Sequence, residues 1–260
     1  MNPSIFSRRG TLVGHRGMGA GSMHGYQENT LASFLAAVRS GIEWLEVDVR
    51  RTRDDGLFVW HDPTLADGRY LADVKADTAR RVGALPVGEL LEALPPSIGV
   101  VFDVKSSLRD AERPPAMTTS SLLGKACNRA LHGRRAVVTS FDPAGLYQIR
   151  QVVPEMPLGL LTWLRFPIGQ AVAAAAHLDV QLLSVHAGSL APPDGAETFE
   201  KERLLRIVEV VHAARRQLVV WCPSVGAAVN LATAGVDAMV VDDVPLQREA
   251  LKSLSGSGAV

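Results

Sequence analysis

The chain has 260 residues, 47% hydrophobic and 21% charged, and its 27 Lys and Arg balance its 27 Asp and Glu. That size and apolar content fit one globular α/β domain with a real core, and the balanced charge excludes a general field drawing it to nucleic acid or anionic lipid. No apolar run reaches the roughly 18 residues of a membrane span, and the opening MNPSIFSRRG lacks a signal-type apolar core, so the expectation is a cytoplasmic protein with no membrane span.

Apolar strand-like runs stand at 11–16, 44–51, 99–105, 136–141, 157–163, 181–187, 217–223 and 237–243. Helical patterns lie between them at 29–40, about 116–131, 143–152, 167–177, 200–215, 225–234 and 245–254. Eight strands alternating with helices predict an α/β fold, a (β/α)8 TIM barrel, with an open doubly wound sheet as the rival. The runs are nearly continuous in apolar residues, as parallel strands buried on both faces require. After the second strand, Asp54-Asp55-Gly56 is a hairpin signal that returns the chain along LFVWHD. Residues 63–98 read as a small insertion wandering over one barrel face, with one short helix near 88–94. A single domain is expected over 1–254, with 255–260 as a disordered tail. Cys127 falls in a helical pattern and Cys222 in an apolar strand, so both are expected as buried free thiols.

The chemistry concentrates between Thr11 and Asp62. Glu46 and Asp48 are two apart, so on a strand both carboxylates face the same side, while Leu45, Val47 and Val49 pack against helices. Unpaired acids inside a barrel are costly, and a hard divalent cation, Mg²⁺ or Ca²⁺, prefers such oxygens. His15 and His61 bracket this pair at the ends of β-like runs and suit proton transfer near neutral pH. The loop Gly17-Met18-Gly19-Ala20-Gly21 has Ser22 where a dinucleotide fingerprint needs its third glycine, and it lacks the Lys-Ser/Thr of a P-loop. Glu28 and Asn29 head the first helix, with Asn29 readable as its N-cap.

GHRG at 14–17, ENT at 28–30 followed by Phe34 and Gly41, the E-x-D pair with its DDG turn, and HD at 61–62 form a long ordered signature. It resembles that of the glycerophosphodiester phosphodiesterase family. The resemblance implies a barrel that hydrolyses glycerophosphodiesters to sn-glycerol 3-phosphate and an alcohol, using a divalent metal. It implies His15 and His61 as acid–base pair, Arg16 as phosphate holder, and a site role for Glu28. The family's third metal ligand is usually a Glu two residues before a Lys; here the match is Asp103 with Lys105, the latter contacting phosphate or orienting a ligand. Phe141 and Trp221 are implied to shape the substrate pocket. Trp163 and His186 are weaker candidates at strand ends, and Asp242 loosely matches a closing TD-x-P motif and is expected to stabilise loops. The loop between HRG and ENT is longer than the family's, with Gln27 where proline is common, and Cys222-Pro223-Ser224 replaces a Thr-x-Asn. Two rivals are a phospholipase C/D-like barrel, which needs an exposed apolar rim that the scattered aromatics do not suggest, and a non-catalytic sugar-phosphate-binding barrel. The expected partner is a small-molecule glycerophosphodiester.

Overall fold

A computed structural model describes residues 4–131, 133–191 and 200–256. Eight parallel strands form its frame: β1 Thr11–Gly14, β2 Trp44–Arg51, β3 Gly99–Val104, β4 Ala136–Ser140, β5 Leu158–Leu161, β6 Leu182–His186, β7 Gln217–Trp221 and β8 Ala238–Val241. β1 pairs with β8 on one side, Thr11 opposite Ala238, and with β2 on the other, Val13 opposite Trp44 and Gly14 opposite Leu45. The sheet therefore closes into a TIM barrel, and the open doubly wound alternative is excluded.

The helices lie between the strands: α1 Leu31–Arg39, α2 Ala76–Arg81, α3 Val87–Ala93, α4 Thr119–Ala130, α5 Pro143–Val152, α6 Ile168–His177, α7 Lys201–Ala213, α8 Val225–Ala234 and α9 Val244–Gly256. None of the described helices is long and apolar enough to cross a membrane. Alternation along β2 explains the layering. Leu45, Val47 and Val49 join Phe102, Val104 and the helix side chains in one core, while Trp44 faces inward with Val13, Val101, Val137, Leu182, Val219 and Val240. Phe6 packs on Trp44 at 4.9 Å between ring centroids, and the backbone N–H groups of Ile5 and Phe6 donate to Gln217 Oε1. That segment plugs the barrel's N-terminal end.

The hairpin after β2 is present: Leu57–Val59 runs antiparallel to it, with Val49 opposite Val59. The expected wandering insertion is more ordered than its sequence suggests. It holds α2, a two-residue strand Leu85–Pro86 and α3, around a small core of Phe58, Leu65, Leu71, Val74, Ala79 and Ala84. α2, ADTARR, is too short and polar to show helical periodicity. A second small hairpin, Ser22–Met23 with Tyr26–Gln27, was not expected within the glycine-rich loop. Thr30, not Asn29, caps α1, its hydroxyl accepting from Ser33 N at 3.2 Å. At the other end, Ser255 and Gly256 belong to α9, and the rest of the expected tail lies outside the described residues. Seven barrel strands stop one or two residues short of their sequence estimates. His15, Phe141, Trp163, Cys222 and Asp242 thus sit just past strand ends, on the turns of the C-terminal face where barrel enzymes assemble their sites.

Candidate active site

Three carboxylates converge at that face. Parallel pairing sets Asp48 of β2 opposite Asp103 of β3, so both side chains and that of Glu46 turn into the barrel. All three are buried, Asp48 to 1% exposure, and their oxygens can be chosen within 4.8 Å of one another. Lys105 Nζ lies 2.9 Å from Asp48 Oδ1 and also pairs with Asp103, while Arg16 Nε lies 3.1 Å from Asp48 Oδ2. Burial raises Glu46, and the Asp48 charge adds to this, pushing its carboxyl up to about 8 despite nearby His15. Burial also works to raise Asp48, but Lys105 and Arg16 overcome it and hold that carboxyl well below the usual range. Asp103 is raised by burial against the pull of Lys105. Lys105 itself, although burial opposes its charge, is pushed above the ordinary lysine value by Asp103, Asp48 and Glu46.

This cluster fits a hard divalent cation. Asp103 Oδ1 and Asn29 Oδ1 are buried without a hydrogen-bond donor, and Asp48 Oδ1 meets Lys105 only as an ion pair. Oxygens left without donors, in a group of carboxylates one of which is pushed towards neutrality, are the donor set such an ion would satisfy.

His15 stands at the end of β1 with its two ring nitrogens in different surroundings. Nε2 faces Glu46 Oε2 at 3.9 Å, and Nδ1 lies 2.6 Å from Asp242 Oδ1, just past β8. Burial disfavours the imidazolium, yet the Asp242 hydrogen bond, Cys222 and Glu46 together raise His15 well above its ordinary value. Asp242 responds in the opposite direction: burial would raise it, but His15 and the Ala20 N–H bring it to about 2. The glycine-rich loop serves this contact. Ala20 N donates to Asp242 Oδ1 at 3.0 Å, and Gly19, at φ 146°, runs so close to the Asp242 carbonyl that a Cβ would overlap it. Asp242 is therefore an orienting partner of His15 as well as a loop residue.

The return strand delivers His61. Its backbone oxygen accepts from Arg50 Nε at 2.7 Å, its Nδ1 lies 2.8 Å from Asp62 Oδ1, and its side chain is 37% exposed. Arg16, at φ 50°, donates through Nη1 to both oxygens of Glu28, at 3.1 and 3.0 Å. Asn29, also left-handed at φ 56°, sends Nδ2 to Asp48 Oδ2 at 2.9 Å. Its apparent capping role gives way to support of the acid cluster.

A cavity of about 660 Å³ joins these groups. His15, Arg16, Glu46, His61, Asp103, Lys105, Phe141 and Trp221 all line it, whereas Asp48 lies beneath and Glu28 acts behind Arg16. Opposite the charged side stands an aromatic wall. Phe141 stacks on Trp163 at 4.2 Å and meets Trp221 edge-on at 6.0 Å, and His186 meets Trp221 at 4.4 Å. Trp221 Nε1 is buried without an acceptor. Trp163 lines the cavity while 66% exposed, with exposed Leu164 beside it in the chain, so an apolar edge exists where scattered aromatics suggested none. Separation in sequence hid it, because Phe141 and Trp163 meet only through the neighbouring ends of β4 and β5. Cys127 is buried as expected, but Cys222 is only partly so and borders the cavity.

Residues 15–108, which hold the acid cluster, Arg16, Lys105 and both histidines, match the Glycerophosphoryl diester phosphodiesterase family. Over those residues the chain is similar to this family. A glycerophosphodiester phosphodiesterase of Caldanaerobacter subterraneus subsp. tengcongensis is 26% identical over 164 residues, a stretch spanning 58% of this chain and 65% of that relative. Two solved members share the fold. The Oleispira antarctica phosphodiesterase, in complex with the product sn-glycerol-3-phosphate, superposes with a TM-score of 0.76 at 19% identity, covering 95% of this chain and 97% of its own. A glycerophosphodiester phosphodiesterase of Parabacteroides distasonis gives 0.74 at 18%, covering 97% and 100%. The family match ends shortly after β3, so the aromatic wall lies beyond it.

Proposed function

We propose that the protein hydrolyses glycerophosphodiesters to sn-glycerol 3-phosphate and an alcohol. The observation that carries this reading is one cavity lined by two carboxylates of the buried acid cluster, two cations and two differently housed histidines, with the third carboxylate, Asp48, beneath it. The product bound by the Oleispira antarctica relative agrees with it. Glu46, Asp48 and Asp103 would hold a divalent cation, Mg²⁺ or Ca²⁺, which when bound supplies charge neutralisation at the phosphoryl group.

Arg16, steadied by Glu28, and Lys105 offer their positive charge to the phosphate oxygens. His15, kept protonated by Asp242, gives its proton to the oxygen of the leaving alcohol. His61, the more exposed imidazole, takes the proton from the substrate's 2-hydroxyl as that oxygen attacks phosphorus. The cyclic phosphate so formed is then opened by water, with His15 now accepting a proton and His61 returning one. Phe141 and Trp221 wall the leaving group. The test is product analysis over a panel of glycerophosphodiesters, with and without chelator: sn-glycerol 3-phosphate should accumulate only when a divalent cation is present. Release of a phosphorylated alcohol and free glycerol would overturn the reading.

A second reading follows from exposed Trp163 at the cavity edge and exposed Leu164 next to it in the chain. An apolar rim there suits a leaving alcohol that carries a hydrocarbon chain. Competition between a short glycerophosphodiester and a lysophospholipid decides it, and a higher kcat/KM for the lipid would favour the second.

A further inference from the structure

Outside the acid cluster, a sulfur and a carboxylate oxygen converge on a single ring nitrogen. β7 ends at Trp221, and Cys222 takes φ 53°, a left-handed conformation uncommon for a residue with a Cβ. Its N–H donates to Val240 O at 2.9 Å, and its Sγ lies 3.7 Å from His15 Nδ1. Asp242 Oδ1 reaches that same Nδ1 at 2.6 Å. β7, β8 and β1 are neighbours in the ring, so their ends hold Cys222, Asp242 and His15 side by side. A Cys-His-Asp relay would need Cys and Asp on opposite ring nitrogens. Here both meet Nδ1, which no proton relay uses but a metal centre does.

The geometry points to a second metal site, formed by Cys222, His15 and Asp242, that takes Zn²⁺ or a similarly thiophilic divalent cation and inactivates the enzyme through His15. One sulfur, one imidazole nitrogen and one carboxylate oxygen form a zinc-type donor set, and three protein ligands leave a fourth position. His15 and Cys222 border the cavity, so that position is reached from it. The two sites differ in softness. The oxygen-only acid cluster suits Mg²⁺ or Ca²⁺, whereas thiolate and imidazole bind Zn²⁺ far better. His15 divides them, Nε2 towards Glu46 and Nδ1 towards Cys222. On binding, Zn²⁺ replaces the thiol proton and the proton shared between Nδ1 and Asp242. The ring can then no longer shuttle a proton in step with that carboxylate. The inhibitory part of this inference rests on the proposed hydrolysis; the binding part does not.

Cd²⁺, whose bond to a thiolate gives an ultraviolet charge-transfer band, is the direct probe. Titration of the full chain in excess Mg²⁺ should produce the band at one equivalent. It should persist in Asp103→Asn and vanish in Cys222→Ser. Cys127 will not contribute, because burial pushes its thiol up to about 12. Zn²⁺ inhibition, measured against each variant's own zinc-free rate, should weaken by about 100-fold or more in Cys222→Ser, since losing a ligand costs at least as much as losing the groups behind it. Circular dichroism would establish that the variant is folded. No band in the wild type, or equal Zn²⁺ inhibition of wild type and Cys222→Ser, would overturn the site. A band at one equivalent in a protein that turns over no diester would support the site while overturning the functional reading.

Discussion

The two sides of the cavity are built on different principles. The ends of β1, β2 and β3 and the return strand carry charge: His15, Arg16, Glu46, Asp48, His61, Asp103 and Lys105, held by short polar contacts with little freedom. The ends of β4 to β7 carry Phe141, Trp163, His186 and Trp221, held by ring contacts and partly open to solvent. The family match covers the first side and stops before the second. A reaction that handles charge on phosphorus needs fixed geometry, whereas the leaving alcohol varies between substrates and can be met by adaptable apolar surface. On the proposed reading chemistry is concentrated on one side and selectivity on the other, and variants should separate them.

The largest effects belong to the acid cluster. Glu46→Gln and Asp103→Asn should each reduce turnover to below about a thousandth, the scale on which electrostatic stabilisation operates, and chelator should do the same to the wild type. Stability will divide these positions. Glu46 is already pushed up to about 8, so removing its charge should leave the melting temperature unchanged or raised. Asp48 is the counter-ion of Arg16 and Lys105. Asp48→Asn takes one partner from each of two buried cations, Arg16 keeping Glu28 and Lys105 keeping Asp103, and should cost about 3 kcal/mol in a denaturant titration, the lower end of the penalty for breaking a buried pair. Full activity after rigorous metal removal would overturn the cation's role. Asp103→Glu, which restores the family's usual residue, should retain activity.

Next come the histidines, where His15→Ala and His61→Ala should each lose about 10²–10⁴-fold in kcat/KM. A p-nitrophenyl diester, whose leaving group needs little protonation, should rescue His15→Ala and not His61→Ala. The reverse pattern would exchange their roles. Asp242→Asn should cost less, about 10–100-fold, since a hydrogen bond to a charged group is worth about 1.5–3 kcal/mol. It should also lower the His15 pKa and move the corresponding limb of the pH profile to lower pH. The stability signs differ for the two partners. His15 is raised, so its contribution is present below its ordinary value and lost as pH rises through the raised one. Asp242 is lowered, so its contribution is present above the ordinary carboxylate range and lost as pH falls towards about 2. The melting-temperature gap between wild type and Asp242→Asn should be widest between those limits, and a gap independent of pH would exclude the ion pair.

The charged side was legible in the sequence because its residues are close together and periodic. Glu46 and Asp48 declare a shared strand face, and the DDG turn announces the return of His61. What was not legible came from closure of the ring. Asp242 meets His15 only because β8 pairs with β1, across 227 residues, and Cys222 reaches the same nitrogen from β7. Asn29 was misread for a local reason: it has N-cap chemistry, but Thr30 supplies the cap, and its left-handed backbone frees its amide for Asp48. The order of 63–98 was hidden because its core is assembled from single apolar residues in short elements.

The smallest effect should lie on the aromatic side and depends on which diester is used. Trp163 stacks on Phe141, and most of its surface faces solvent. Removing it therefore leaves the carboxylates and the histidines in place, and Trp163→Ala should keep kcat on a short glycerophosphodiester within about twofold, as surface substitutions usually do. A leaving alcohol bearing an apolar chain would lose the ring as a partner, and burying part of an indole is worth about 1–2 kcal/mol at ordinary transfer values. KM for such a substrate should then rise about 5–30-fold while kcat holds, because the contact is the same in ground and transition states. Phe141→Ala should do more, since Phe141 also touches Trp221 and stands 5.8 Å from Lys105 Nζ, so it should lower kcat as well. If Trp163→Ala lowers kcat equally for every diester, the aromatic side takes part in the chemistry and the division between the two sides fails.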